Sequence, residues 1–166
     1  MTAMQKPRPR RPAGNAEPFH YLASGLPNVW LMDGFHRADT PDGPGVRIED
    51  ADGLHLALAR AIVTDRRRFQ PEELRYLRRF LALSQANVAA LLGNSEQTVA
   101  RWEKGETAID PSGERLIRFI VTERLGDDVT VLEALRDLAA ADEAHHGTSR
   151  RLQHRAGVWR ELRAAA

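Results

Sequence analysis

The stretch "LSQANVAALLGNSEQTVARWEKG", residues 83–105, constrains this 166-residue chain more than any other. It carries the punctuation of two short helices joined by a sharp turn. Ser84 is a natural N-cap, which predicts a helix over Gln85–Leu92. Val88, Leu91 and Leu92 are expected to face the bundle, and Ala89 is small where a second helix must cross. Gly93 supplies the positive φ needed to leave one helix and turn sharply into the next. Ser95 caps that second helix, which runs to Lys104 and stops at Gly105. Val99 and Trp102, three apart, anchor it from beneath. Glu96, Gln97, Thr98, Arg101 and Lys104 are left to face outward, and Glu103 is expected to hold the helix end through a local ion pair.

A helix that served only to fill a core would not lead with Ser-Glu-Gln-Thr and then add Arg101 and Lys104. An α-helix about 10–12 Å across matches the major groove of B-DNA, and polar residues near its N-terminus are the ones that reach base edges. Gln97 can offer adenine a paired donor and acceptor, and Arg101, one turn later, can fork onto guanine. Each such pair discriminates between bases by about 1–3 kcal/mol. Gln85, at the start of the preceding helix, is placed to donate to a phosphate, while Lys104 and the arginines at 66–68 also suit phosphates. The expected DNA-binding residues are therefore Gln85, Ser95, Glu96, Gln97, Thr98, Arg101 and Lys104.

Charge is distributed in keeping with this. The net charge is only +1, but residues 66–118 carry ten basic and seven acidic side chains, whereas residues 17–65 carry three basic and eight acidic. A polyanion would prefer the first segment and avoid the second. With no cysteine there is neither a disulfide framework nor a thiolate zinc site. No glycine-rich phosphate loop with a lysine, nucleophile elbow or HExxH is present, so an enzyme is not expected. No cofactor or metal is expected either; His145 and His146 beside Asp142 and Glu143 lack further placed ligands. No apolar run approaches the roughly 18 residues of a membrane span, nor does the N-terminus resemble a signal peptide. A cytoplasmic location is the expectation.

Along the chain, residues 1–17 suggest a disordered basic arm of proline and arginine. Residues 18–65 suggest a small extension. In it Val29-Trp30-Leu31-Met32 and Val46-Arg47-Ile48 would form a hairpin around the turn-rich residues 40–45, followed by a helix over 53–64 with Leu54, Leu58, Ala61 and Ile62 on one face. Residues 66–141 suggest the DNA-binding domain. A helix opens at Pro71 behind Glu72 and Glu73, another runs from Pro111 to Leu125, and a last covers 128–141 with Leu132, Leu135 and Leu138 inward. Residues 142–166 suggest a weakly ordered tail in which Val158-Trp159 docks locally. Trp30 and Trp102 are expected in the core.

The quoted stretch resembles the helix-turn-helix of the Cro/phage-repressor (XRE) family, through Ser84-Gln85, Ala89, Gly93, Val99, Trp102 and Gly105 together. Asn94 departs from it, standing where the family usually has an apolar residue. With "SGLPNVWLMDGF" and "ADGLHLALARAI" upstream, residues 19–140 are similar to the MqsA/YgiT-type antitoxin-like regulators, but without their cysteine zinc module. The resemblance implies a mainly α fold, a five-helix lambda-repressor-like helix-turn-helix domain with a small N-terminal α+β extension, in which Gln97 and Arg101 read bases.

The expected function is a sequence-specific transcriptional regulator, an autorepressor of antitoxin type that reads the major groove with helix 95–104. Because one helix reads few base pairs, a homodimer on a palindromic operator is expected, with half-sites about 34 Å apart. Helix 128–141 is the candidate dimer contact, and a toxin protein is a possible partner. Two alternatives stay open: a free-standing repressor without a toxin, and a protein-interaction module whose DNA face is vestigial.

Overall fold

The structure, a computed structural model, describes residues 17–41, 43–126 and 150–162. The basic arm to residue 16, the expected helix 128–141 and the His145-His146 pair lie outside these residues. Five α-helices and two small sheets are formed by the described residues. The helices are α1 (Ala51–Thr64), α2 (Pro71–Phe80), α3 (Gln85–Leu92), α4 (Glu96–Lys104) and α5 (Pro111–Leu125).

The helix starts follow from local chemistry. The carboxylate of Asp50 accepts from Gly53 N at 3.0 Å and caps α1. A Cβ on Gly53 would come within 2.0 Å of that carboxylate, so the cap requires glycine there. Pro71 opens α2, and Glu73 reaches back to accept from Gln70 N at 3.0 Å. Ser84, Ser95 and Asp110 cap the next three helices through their side-chain oxygens. One core runs through the molecule: Leu54, Leu58 and Ile62 of α1 meet Leu74 and Leu77 of α2 and Ile117 and Val121 of α5, and all are buried. Helix α1, placed with the N-terminal extension on sequence, packs on α5 and α2 as well as on the strands.

The strands depart from expectation in two ways. The hairpin forms between β3 (Phe35–Thr40) and β4 (Gly43–Ile48), with Phe35 opposite Ile48. The segment Val29–Leu31 (β2) is not its partner. It lies instead between β1 (Phe19–His20), antiparallel to it, and β5 (Arg150–Arg155), parallel to it. The expected weakly ordered tail is corrected over residues 150–162. Strand β5 and β6 (Val158–Leu162) form a hairpin that completes a sheet in the order β1-β2-β5-β6. Burial explains both outcomes. Val29, Leu31 and Leu152 are fully covered and Trp159 nearly so, and an isolated hairpin could not have buried them.

Polar contacts lock the C-terminal hairpin in place. The Trp159 indole Nε1 donates to the carbonyls of Glu49 and Asp50, each at 3.2 Å, just before α1 begins. Gly34, at φ +72°, lets the chain pass beneath that ring, since a Cβ there would lie 2.7 Å from both His154 and Trp159. Glu49 pairs with His36 of β3 and, at 3.2 Å, with His154 of β5. The hydrogen bond from His36 is the chief reason its carboxyl sits below the ordinary value.

At the other end of the sheet, the buried Arg150 guanidinium bridges Asp65 and Glu73, each at 3.2 Å, and Glu161 at 3.1 Å. Arg67 shares the same two acids, at 2.8 Å to Asp65 and 2.5 Å to Glu73. Burial alone would lower the Arg67 pKa, but these carboxylates outweigh it and the group is held above its ordinary value. Arg118 of α5 donates to the carbonyls of Asp65 and Arg67, each at 2.7 Å, and lies 4.1 Å above the Phe69 ring. The arginine run at 66–68 is thus not a uniform phosphate site: Arg67 is buried in an ion cluster, and Arg68 lies 3.8 Å from Glu114.

Candidate nucleic-acid interface

Helices α3 and α4 form with the predicted bounds. Gly93, at φ +65°, makes the turn between them, and its N–H, with that of Asn94, returns to the last turn of α3. The unusual Asn94 is exposed, and its side-chain amide donates to the carbonyl of Leu92 at 3.0 Å. The turn is closed by a polar contact where an apolar side chain was expected from the resemblance.

Val99 and Trp102 are buried beneath α4, and Val88 and Ala89 of α3 meet them. Glu96, Gln97, Arg101 and Lys104 are exposed and Thr98 is half-buried. Leu91 departs from expectation: it is 51% exposed and does not face the bundle. Eight residues of α3 leave room for only one buried stripe, and Val88 and Ala89 occupy it.

The side chains of the expected site have distinct engagements. Ser95 is committed to capping, its Oγ accepting from Thr98 N at 3.1 Å and meeting Thr98 Oγ1 at 2.8 Å. Arg101 lies 3.5 Å and Lys104 4.0 Å from Glu106, with all three well exposed. Exposed pairs of this kind are worth roughly 0–1 kcal/mol, so a phosphate can displace Glu106 at little cost. Gln85 uses one amide hydrogen to reach Glu103 Oε2 at 2.9 Å, leaving its second for a ligand.

Glu103 corrects the expectation of a local ion pair. It is buried, and Arg78 of α2 grips it by two hydrogen bonds, at 2.5 and 3.0 Å. Arg75 of α2 donates to its backbone carbonyl at 2.5 Å. Burial would raise its pKa, but hydrogen bonds from Arg78 and Gln85 and the charges of Arg78 and Arg75 leave it below the ordinary value. Glu103, Arg78 and Arg75 therefore set α4 on its support. Sequence reasoning missed the two arginines because nothing within α2 marks them; their partner lies 25 or more residues away.

The Helix-turn-helix family model matches residues 74–119, from α2 into α5. No curated protein and no solved structure matches the chain. The match and the geometry together support a helix-turn-helix DNA-binding transcription regulator. Both sheets lie outside the matched residues. Among the described residues, no helix is long and apolar enough to cross a membrane, and no cluster of three metal-ligating side chains forms.

Proposed function

We propose that the chain is a sequence-specific, non-enzymatic repressor that inserts α4 into the major groove. The observation that carries this is the division of α4 itself: Val99, Trp102 and Glu103 are buried, while Gln97, Arg101 and Lys104 stand in solvent on the opposite side. In this reading Gln97 and Arg101 read bases, and Gln85 and Lys104 hold phosphates. One such helix specifies too few base pairs for an operator, so the protein binds as a homodimer on a two-fold palindrome, in the lambda-repressor manner. We infer further that it is an antitoxin-type autorepressor of the MqsA/YgiT kind, which binds a toxin protein while lacking the zinc module.

The experiment is fluorescence anisotropy on DNA upstream of its own gene, against a scrambled duplex at physiological salt. A preference of about 10³-fold or more supports the reading. Equal, weak and salt-sensitive binding to both duplexes would count against autoregulation. Light scattering tests the dimer, and a mass near 18.6 kDa for the free protein together with one chain per operator in the complex would overturn it. Toxin binding is tested by co-purification with the product of the adjacent gene.

A further inference from the structure

The four-stranded sheet has two unlike faces. Cross-strand partners share a face, so the register assigns Phe19, Val29, Leu31, Arg150, Leu152, His154, Trp159 and Glu161 to the inner one. The outer face carries His20, Trp30, Arg151, Gln153, Arg155 and Arg160, with Val158 and Leu162 at the margin. Arg151, Arg155 and Arg160 are exposed, and none of them forms an ion pair among the described residues. No acidic residue lies on the outer face of these strands. Trp30 is not a core residue, as the sequence suggested, but half-exposed and stacked on His20, with ring centroids 4.3 Å apart and planes within 6°.

A face that served only for solubility would mix both signs of charge. This one is of a single sign, set around an aromatic stack and an amide. Arg151 and Arg155 lie four residues apart, about 13 Å along β5, and Arg160 stands opposite Gln153 between them. That combination of cations for a backbone and a π-surface for bases is the chemistry that holds a single strand without fixed sequence. The inner face packs on α1, with Trp159 at its start and Arg150 near its end, so the outer face points away from the helices.

We propose that the outer face of the β1-β2-β5-β6 sheet is a second nucleic-acid surface, one that binds single-stranded DNA. Arg151, Arg155 and Arg160 contact phosphates, and Trp30, backed by His20, stacks on a base. This surface shares no residue with α4, so either can fail alone; only the choice of DNA over RNA rests on the proposed function. The chain's helix-turn-helix brings it to DNA, where single strands arise when a neighbouring duplex opens.

The test uses the full chain and a fluorescein-labelled oligothymidylate of about 15 nucleotides, within the site size of sheet-based single-strand binders. Saturable binding at low salt is expected. Because Trp102 and Trp159 are buried, quenching of the intrinsic fluorescence should come from Trp30. The triple variant Arg151→Ala/Arg155→Ala/Arg160→Ala should weaken binding by about tenfold or more and flatten the log–log salt slope by about 2, as three phosphate contacts require. Its affinity for a generic duplex should stay within about twofold, whereas Lys104→Ala, which removes a proposed duplex phosphate contact, should give the reverse pattern. Trp30→Phe, which keeps a ring, should retain affinity and lose the quenching. Absence of saturable binding, equal loss on duplex and single strand, or about tenfold tighter binding of an oligouridylate would overturn the proposal.

Discussion

The side-chain amide of Gln85 donates to the carboxylate of Glu103 at 2.9 Å, joining the first residue of α3 to the last residue but one of α4. The same carboxylate is held by Arg78 of α2. Three helices of the helix-turn-helix unit thus converge on one buried acid, and the position of the Gln85 amide, which we propose meets a phosphate, depends on it.

Glu103→Gln keeps the shape and removes the charge. Breaking a buried ion pair on one side leaves Arg78 uncompensated, with an expected cost of about 3–5 kcal/mol. Thermal denaturation at neutral pH checks this. Because the folded-state pKa of Glu103 is below the ordinary 4.5, its contribution is complete above that value and is lost as pH falls through the folded one. The gap between wild type and variant should therefore close in acid, and a gap independent of pH would refute the assignment.

Arg101 and Lys104 lie one turn apart yet should behave differently on DNA. Arg101→Ala should cost about 1–3 kcal/mol on the preferred base and relax selection at that position alone. Lys104→Ala should weaken all duplexes alike and reduce the salt slope by about 1. Binding to a panel of single-base operator variants separates the two; indistinguishable profiles would remove the division of roles.

Gly93 meets nothing within 4 Å of a hypothetical Cβ, so its role is conformational and not steric. Holding alanine at φ +65° should cost about 1–2 kcal/mol. Gly93→Ala should lower the denaturation midpoint accordingly without changing the slope against urea. A neutral effect would mean that the turn relaxes to another path.

Trp159 fills the space between β6 and the start of α1. Trp159→Ala should destabilise by about 3–5 kcal/mol. Ending the chain before Arg150 should do more, because it exposes Val29 and Leu31 and leaves Glu73 without one of its two arginines. Urea denaturation followed by circular dichroism measures both. An unaffected truncation would show that the hairpin is not integral to the fold.

Amino-acid order alone determined the helices, because their information is local. Ser84, Gly93, Ser95 and Gly105 mark ends through bonds to backbone atoms no more than a few residues away, Pro111 marks one through its fixed φ, and α3 and α5 have their predicted bounds. The polar outer face of α4 was equally legible, since Val99 and Trp102 fix which side is inward. Tertiary structure decided what lies far apart in sequence. Strand β2 pairs with β5, more than a hundred residues later, and no local pattern announces a parallel partner. Arg67 looked like one of three equivalent cations until Glu73, Asp65 and Arg150 came together around it. Glu103 looked like a surface acid at a helix end until Arg78 enclosed it. In each case a charged side chain declares itself only as charged; whether it meets water, DNA or a buried partner depends on which distant segments fold against it.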